Sequence, residues 1–298
     1  MTPGIEWLLA RLRAVYGENA GRIIEGLNAE RATTLRVNTL KADRGEALAA
    51  LRQAGLQPQL VPFYEDAALL PPRSEGILRG LPLYENGGIY LQSLSSMLPP
   101  LFLQARPGED VLDMAAAPGG KTSQIAALTE GKAFITACEI QHIRAERLRA
   151  NMKRLGCGRV TVIEQDARRL DDFLRFDRIL LDAPCSGSGT LTLSDERSVF
   201  AFSERLVENS ARLQRALLKK GAALLKKGGV LLYSTCSLLP EENEEAVRAA
   251  LSLGLTLEPL DKSGFEALPI LPNGLPGTLT VCPTEAYEGF FVAKLVRK

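Results

Sequence analysis

The chain has 298 residues, of which 46% are hydrophobic and 24% are charged, with a formal net charge of +1. This composition is typical of a water-soluble globular protein with one large domain or two modest ones. The small net charge excludes a wholly basic nucleic-acid binder of the histone type. A protein with this net charge can still carry a local basic face. No secretory signal and no bilayer-spanning apolar run is found, so we expect a cytoplasmic protein.

The first third of the chain predicts a small α+β module. An amphipathic helix opens the chain, TTLRVNTL predicts a strand, RGEALAALRQAG a helix ending at Gly55, and LQPQLVPFY a second strand. Strand, helix and strand in this order are typical of ferredoxin-like modules. The Pro- and Gly-rich stretch from Pro71 to Gly88 indicates a linker. We therefore predict a helical and ferredoxin- or RRM-like module over residues 1–85 and a second domain over 86–298.

From Val111 onward, apolar strands alternate with helices. The predicted strands VLDM, AFITAC, VTVIE, RFDRILLDA and VLLYSTC lack polar alternation, which is typical of a parallel sheet covered on both faces. The last stretch, EGFFVAKLVRK, alternates weakly and predicts an antiparallel edge strand. The second domain is therefore predicted to be a doubly wound, Rossmann-like α/β fold.

The loop DMAAAPGGKT, after the first of these strands, is a candidate ligand site. In open α/β sheets, ligands bind beyond the carboxyl ends of the strands. The small residues allow a ligand to approach the backbone, and the N–H groups of the following helix favour an electron-rich group. The candidate positions in this loop are Ala115, Ala116, Ala117, Pro118, Gly119, Gly120 and Lys121.

The same loop is compatible with a P-loop nucleotide hydrolase. Lys121 and Thr122 match the end of the P-loop motif, and Asp182 follows an apolar strand as the magnesium-binding acid does. This interpretation is weakened by Ala115, which stands where the motif has its first glycine.

Acidic residues follow two further strands. Glu139 ends the second strand and Asp166 follows the third, where doubly wound nucleoside-binding domains keep an acid for the ribose hydroxyls. Helix capping is the alternative role for such acids. Together the two acids favour a nucleoside cofactor over a P-loop ligand.

The five cysteines, Cys138, Cys157, Cys185, Cys236 and Cys282, form no C-x-x-C pair. With a single histidine, His142, this spacing excludes an ordinary zinc site and offers no disulfide framework, and we predict no metal. His142 follows Glu139 at a predicted helix start, so a catalytic triad built on it is not favoured.

Two of the cysteines are predicted to meet. Cys185 follows the fourth strand and Cys236 the fifth, so adjacent strands would bring the thiols together. Two thiols suit methylation of a pyrimidine at carbon 5, because a thiolate that adds to carbon 6 makes carbon 5 nucleophilic and a second cysteine can serve release. Lys121 is a candidate for lowering a thiol pKa. Asp182 would bind the exocyclic amine of cytosine. These residues alone leave open which cysteine attacks.

Four motifs, DMAAAPGGKT, DAPCSGSGT, YSTCS with the following PEENEEAV, and EGFFVAKL, resemble the Nop/Sun family of RNA cytosine-5 methyltransferases. TLRVNTLK and GGIYLQSLSSMLP extend the resemblance over nearly the whole chain. It implies Cys236 as the nucleophile and Cys185 as the residue that assists product release. It also implies S-adenosylmethionine held by the Ala115–Lys121 loop, Glu139, Asp166 and Asp182, with Arg144 nearby, a seven-stranded sheet whose last strand is antiparallel, and an RNA-binding N-terminal module.

The resemblance has departures. Ser93 stands where the family often has Asp, and Glu288-Gly289 where it often has Asp-Gly. We expect the protein to lack the extra C-terminal RNA-binding domain of several members. Recognition of a structured ribosomal or transfer RNA, with an unstacked target cytosine, is then expected to rest on the N-terminal module and on basic residues. These basic residues are Lys153, Arg154, Arg159, Arg168 and Arg169.

A monomer is expected, because nothing resembles a dimerisation segment. Besides the methyltransferase, two alternatives stay open at this point: the P-loop nucleotide hydrolase and a non-catalytic, RNA-binding scaffold in ribosome assembly.

Overall fold

The computed structural model describes residues 2–298 and contains two β-sheets surrounded by helices. The helices are α1 (Pro3–Tyr16), α2 (Ala20–Asn28), α3 (Arg44–Gln53), α4 (Glu75–Arg79), α5 (Pro82–Glu85), α6 (Leu94–Leu103), α7 (Gly120–Leu128), α8 (His142–Arg154), α9 (Glu196–Ala201), α10 (Glu204–Leu224) and α11 (Glu244–Leu251). The strands are β1 (Thr33–Val37), β2 (Gln59–Val61), β3 (Tyr64–Leu70), β4 (Ile89–Leu91), β5 (Asp110–Asp113), β6 (Phe134–Glu139), β7 (Val160–Glu164), β8 (Phe176–Asp182), β9 (Leu225–Thr235), β10 (Leu255–Glu258), β11 (Ile270–Leu271), β12 (Leu279–Val281) and β13 (Phe290–Arg297). Within residues 2–298, no helix is long and apolar enough to cross a membrane.

The first helix packs on the large domain. The Thr2 side chain caps α1 by accepting a hydrogen bond from the Ile5 N–H, and Pro3 occupies the first helical position, where its missing N–H costs nothing. The apolar face of α1 lies against Phe202 and Leu238. The Tyr16 hydroxyl donates to the Leu238 carbonyl at 2.8 Å. The helix therefore supports the loop that follows β9.

The small sheet has the strand order β2-β3-β1-β4 and is antiparallel throughout. The single strand predicted from LQPQLVPFY is two strands, because the chain turns at residues 62–63 and Pro62 offers no backbone donor to continue the ladder. The stretch predicted as a linker holds α4 and α5. Strand β4 then completes the small sheet at Ile89–Leu91, beyond residue 85.

The large sheet confirms the predicted doubly wound fold. Its parallel part has the order β7-β6-β5-β8-β9, so the chain runs outward from β5 in one direction and then returns to β8 on the other side. Buried apolar clusters lie on the two faces of this sheet. The strand order therefore switches between β5 and β8, where such folds bind ligands.

The large sheet has nine strands rather than seven. Strand β13 pairs antiparallel with β9, as expected, but it is not an edge, since β12 and β10 pair with its other side. The weak alternation of EGFFVAKLVRK has a physical reason: Phe290, Phe291 and Val292 are all buried, on opposite faces of the sheet.

Candidate active site

The loop after β5 is held by buried polar contacts. The Asp113 carboxylate accepts hydrogen bonds from the Thr122 hydroxyl at 2.7 Å and from the Ala115 N–H at 3.4 Å. Gly119 has φ +105°, and a Cβ there would meet the side chains of Met152 and Leu148 at 2.5 and 2.8 Å. The small residues of this loop therefore allow it to pack tightly against α8.

A cavity of about 220 Å³ lies beside this loop, at the ends of β6 and β7. It is lined by Met114, Ala115, Glu139, Ile140, Gln141, Arg144, Gln165, Asp166, Ala167, Arg168, Pro184, Leu213 and Leu217. Its walls combine apolar side chains with two carboxylates. Such a lining fits an adenosine, whose base is flat and whose ribose carries hydroxyl donors.

The two carboxylates in this cavity have different surroundings. Glu139 is 4% exposed, accepts from the Gln141 N–H at 2.9 Å and lies 3.5 Å from the Arg144 guanidinium. Arg144 in turn donates to the Ala117 carbonyl at 2.9 Å, which ties the Ala115–Lys121 loop to α8. Asp166 pairs with Arg168 at 2.6 Å, and this hydrogen bond holds the pKa of Asp166 below its usual range. Asp166 also caps the turn that follows, so the capping role is observed and the ribose role stays a prediction.

A second cavity of about 300 Å³ adjoins the first, and Ala115 lines both. It is lined by Tyr90, Leu91, Gln92, Ser93, Ser96, Asp113, Ala115, Ala116, Ala117, Pro118, Gly120, Lys121, Asp182, Thr190, Cys236, Glu288 and Phe290. Of the predicted catalytic residues, Lys121, Asp182 and Cys236 line this second cavity directly. Cys185 lies behind Cys236.

An ion pair lies on the wall of the second cavity. The Lys121 ammonium lies 2.6 Å from the Asp182 carboxylate and donates to the Ser96 hydroxyl at 2.6 Å. Burial lowers the pKa of Lys121, but the neighbouring Asp182 carboxylate more than offsets this and the net pKa is raised. The Ser234 hydroxyl donates to the other Asp182 oxygen at 2.7 Å. Lys121 is therefore a fixed cation that orients Asp182.

The two candidate cysteines are in contact. Strands β8 and β9 are adjacent, and the sulfur atoms of Cys185 and Cys236 lie 3.2 Å apart. The hydrogen bond with Cys236, burial and the nearby Glu242 carboxylate raise the pKa of Cys185 well above its ordinary value. These contacts therefore favour the thiol form of Cys185, whereas Cys236 lines the cavity.

The other cysteines and the histidine lie apart from this site. Burial raises the pKa of Cys138 to about 12 and that of Cys157 to about 11, and Cys282 is also buried. His142 is exposed and contacts Glu164 at 2.9 Å. None of these four residues lines either cavity.

Sequence reasoning missed three contacts around the site. Ser93 and Glu288, two departures from the family pattern, contact each other, since the Ser93 hydroxyl donates to the Glu288 carboxylate at 2.6 Å. Buried Arg36 of β1 donates to Ser123 of α7 at 2.6 Å. Glu242 binds both cysteine loops. The quoted motif PEENEEAV contained Glu242, but only the fold brings these pairs together.

The chain matches two family models. The model described as 16S rRNA methyltransferase RsmB/F covers residues 100–296, and the RsmF/B-like ferredoxin-like domain covers residues 6–73. These matches assign the GGKT loop to a methyltransferase domain rather than to a P-loop.

Relatives and solved structures agree with these models. The chain is 36% identical to ribosomal RNA small subunit methyltransferase B of Klebsiella pneumoniae over 296 residues, which cover 98% of the chain and 66% of that relative. A methyltransferase homologue from Pyrococcus horikoshii is 34% identical, with a TM-score of 0.82 and full coverage of both chains. NSun6 from the same organism, solved with SFG, is 26% identical, with a TM-score of 0.86 and 97% coverage of both chains. The resemblance to Nop/Sun proteins is thus confirmed, and the chain belongs to the RsmB/F family of 16S rRNA methyltransferases.

Proposed function

We propose that this protein transfers a methyl group from S-adenosylmethionine to carbon 5 of a cytosine in RNA, through a covalent bond between Cys236 and the base. The observation that carries the proposal is the pair of sulfur atoms 3.2 Å apart at the second cavity. A lone buried cysteine would serve packing, but two thiols beside an ion pair suit covalent catalysis at a pyrimidine.

The residues of the first cavity fit the cofactor. Buried Glu139 presents a carboxylate to ribose hydroxyls, and Leu213 and Leu217 offer apolar contact to an adenine. The relative solved with SFG, an analogue of S-adenosylmethionine, supports this assignment. Bound S-adenosylmethionine would supply an electrophilic methyl group. Ala115, shared by both cavities, has only a methyl side chain, which is too small to separate the cofactor from the base.

The second cavity fits a cytosine. Asp182 accepts a hydrogen bond from the exocyclic amine, and Lys121 orients this carboxylate. Uracil has a carbonyl oxygen in place of the amine. This oxygen and the Asp182 carboxylate are both acceptors, so no hydrogen bond would form between them. The site therefore discriminates between the two pyrimidines, because the uracil oxygen repels the carboxylate to which the cytosine amine donates.

Cys236 attacks because its sulfur lines the cavity. Its thiolate forms a bond to carbon 6, and the electrons of the C5–C6 double bond move to carbon 5. Carbon 5 would then bond to the methyl group, and the electrons of the broken methyl–sulfur bond would stay on the sulfur of the leaving S-adenosylhomocysteine. Carbon 5 next loses its proton to a water molecule in the open cavity. The electrons of the C5–H bond restore the C5–C6 double bond. The S–C6 bond breaks and its electrons stay on sulfur, so Cys236 leaves as a thiolate.

Cys185 assists release. Its raised pKa keeps it a thiol at neutral pH, and its sulfur lies 3.2 Å from that of Cys236. The S–H group can therefore donate to the departing thiolate and stabilise it. Without this donor, the adduct between protein and base would break down slowly.

The substrate is proposed to be RNA of the small ribosomal subunit, as the names of the relatives suggest, with residues 1–85 as the RNA-binding module. The basic residues differ in whether their side chains are free to bind RNA or are already held by protein contacts. Arg154 donates to the Tyr84 carbonyl at 2.6 Å, and Arg168 is paired with Asp166. Exposed Lys153 and Arg169 are the better candidates for phosphate contacts.

A methyl-transfer assay tests the function. Wild type is incubated with labelled S-adenosylmethionine and unmodified small-subunit RNA, beside Cys236→Ala, and the labelled nucleoside is identified. We expect 5-methylcytosine with wild type and none with the variant. A methylated uridine or adenosine would contradict the proposal, and equal labelling by Cys236→Ala would exclude the covalent route. If intact ribosomal RNA bound tightly but stayed unlabelled, the scaffold alternative would be favoured.

A further inference from the structure

Glu242 is a fully buried carboxylate outside both cavities. Its Oε1 atom accepts from the Ser186 N–H at 2.7 Å and from the Gln214 amide at 3.2 Å. Its Oε2 atom accepts from the hydroxyls of Ser186 and Ser237, at 2.5 and 2.6 Å. Both oxygens are thus fully engaged by protein donors.

These donors connect the two cysteine loops. Ser186 directly follows Cys185, and Ser237 directly follows Cys236. A second contact joins the same loops, since the hydroxyls of Ser188 and Ser237 lie 3.0 Å apart. Glu242 is therefore the acidic centre of a network that joins the residue after each cysteine.

Burying the Glu242 carboxylate has a desolvation cost that a role in packing alone would not require. Burial of the carboxylate raises the pKa of Glu242 and is opposed by the four hydrogen bonds. A buried apolar side chain would fill the same space without a desolvation cost. A carboxylate, however, fixes two loops at a defined separation because it accepts from both at once.

We propose that Glu242 is a positioning residue that sets the distance between the sulfur atoms of Cys185 and Cys236. It does so through Ser186 and Ser237, without touching the substrate. This inference rests on the proposed function, in which the thiol of Cys185 must reach the sulfur of Cys236 during release. A misplacement of about 1 Å costs about 100-fold in rate in such geometries.

The first test compares Glu242→Gln with Glu245→Gln. The amide places an N–H₂ group against donors that need an acceptor, while its size stays that of the carboxylate. Glu245 is a half-exposed acid of the same segment, whose ion-pair contact is Arg215 at 3.4 Å. For Glu242→Gln we expect kcat to fall about 10-fold to 100-fold, with KM for RNA and Kd for S-adenosylmethionine within about twofold of wild type. Glu245→Gln should match wild type in all three.

The second test measures the distance between the thiols without methyl transfer. Diamide oxidises two neighbouring thiols to a disulfide: the thiols lose two electrons and two protons, and diamide gains them as the hydrazine. We expect the Cys185–Cys236 disulfide to form rapidly in wild type and at least about 10-fold more slowly in Glu242→Gln, because the rate depends on access and geometry. Peptide mapping identifies the bond.

The outcomes separate the two proposals. Wild-type rates of disulfide formation in folded Glu242→Gln would overturn the positioning role, whatever happens to kcat. Slower disulfide formation together with a wild type that methylates no RNA would support the role of Glu242 and reject the proposed function. If Glu242→Gln does not fold, Ser186→Ala replaces it, since this variant removes one hydroxyl donor and leaves the carboxylate, and a slower disulfide is again expected.

Discussion

At the scale of single residues, the site depends on acids with different surroundings. Glu139 and Glu164 end adjacent strands and are partners in the register of β6 and β7. Glu139 is buried in the first cavity, whereas Glu164 is exposed and bound to His142 and Arg149. Of these two neighbouring acids in one sheet, Glu139 is a candidate for binding the cofactor and Glu164 is a surface residue.

We expect Glu139→Gln to weaken S-adenosylmethionine binding by about 10-fold to 100-fold, since a hydrogen bond to a charged group contributes about 1.5–3 kcal/mol. Glu164→Gln should leave the affinity within about twofold of wild type. Titration calorimetry of both variants measures this. Equal affinities in wild type and Glu139→Gln would remove Glu139 from the cofactor site.

Asp113 makes the free energy of unfolding depend on pH. Burial raises its pKa to about 6 from 3.8, so between these values the unfolded chain has lost a proton that the folded chain retains. Stability contributed by this residue therefore falls as pH rises through this window. Asp113→Asn lacks the effect, so its free energy of unfolding should rise relative to wild type by about 3 kcal/mol between about pH 4 and about pH 7. Urea unfolding at several pH values measures the difference, and parallel curves would contradict the assignment.

At the scale of elements, three loops meet around the cysteines. The Gly189 N–H donates to the Cys236 carbonyl at 2.9 Å, and the Gly289 N–H donates to the Gly189 carbonyl at 2.8 Å. A Cβ at Gly189 would lie 2.2 Å from the Gly289 carbonyl oxygen. The motif glycines therefore allow the loops after β8 and β9 to approach the segment before β13.

Gly189→Ala should destabilise the protein by about 3 kcal/mol, because backbone atoms must move to admit the methyl group. Gly158→Ala is the matched control, since a Cβ there meets nothing within 4 Å. Its effect should stay within about 0.5 kcal/mol. Chemical denaturation compares the two, and similar midpoints would show that the loops tolerate separation.

The parallel sheet and the motif loops were predictable from sequence because their signals are local. Uninterrupted apolar strands such as RFDRILLDA and the small-residue loop at Ala115 need no knowledge of distant partners. The separate strands β2 and β3, and the pairing of β10 and β12 with β13, depend on long-range contacts. Glu242 was missed for the same reason: its donor Ser186 lies 56 residues away.

At the scale of the whole molecule, Arg36 links the two sheets. It is fully buried in β1 and donates to the Gln92 side chain at 2.9 Å, the Gly120 carbonyl at 3.1 Å and the Ser123 hydroxyl at 2.6 Å. Its bonds to Gly120 and Ser123 hold the first turn of α7. The small sheet is therefore attached directly to α7, the helix that begins within the Ala115–Lys121 loop.

Arg36→Ala should lower the free energy of unfolding by about 3 kcal/mol, because it leaves a cavity and unpaired acceptors at this junction. Arg52→Ala, at an exposed position of α3, should change it by less than about 0.5 kcal/mol. Urea unfolding followed by circular dichroism measures both. Equal losses in the two variants would contradict the linking role of Arg36.

The central claim is that Cys236 bonds to the base and Cys185 aids its release. The most direct measurement uses Cys185→Ala with small-subunit RNA and S-adenosylmethionine, followed by denaturation, digestion with protease and nuclease, and mass spectrometry of any peptide that carries a nucleotide. We expect an accumulated adduct between the Cys236 peptide and a methylated cytidine. An adduct on any other residue, or turnover by Cys185→Ala at the wild-type rate without an adduct, would contradict it.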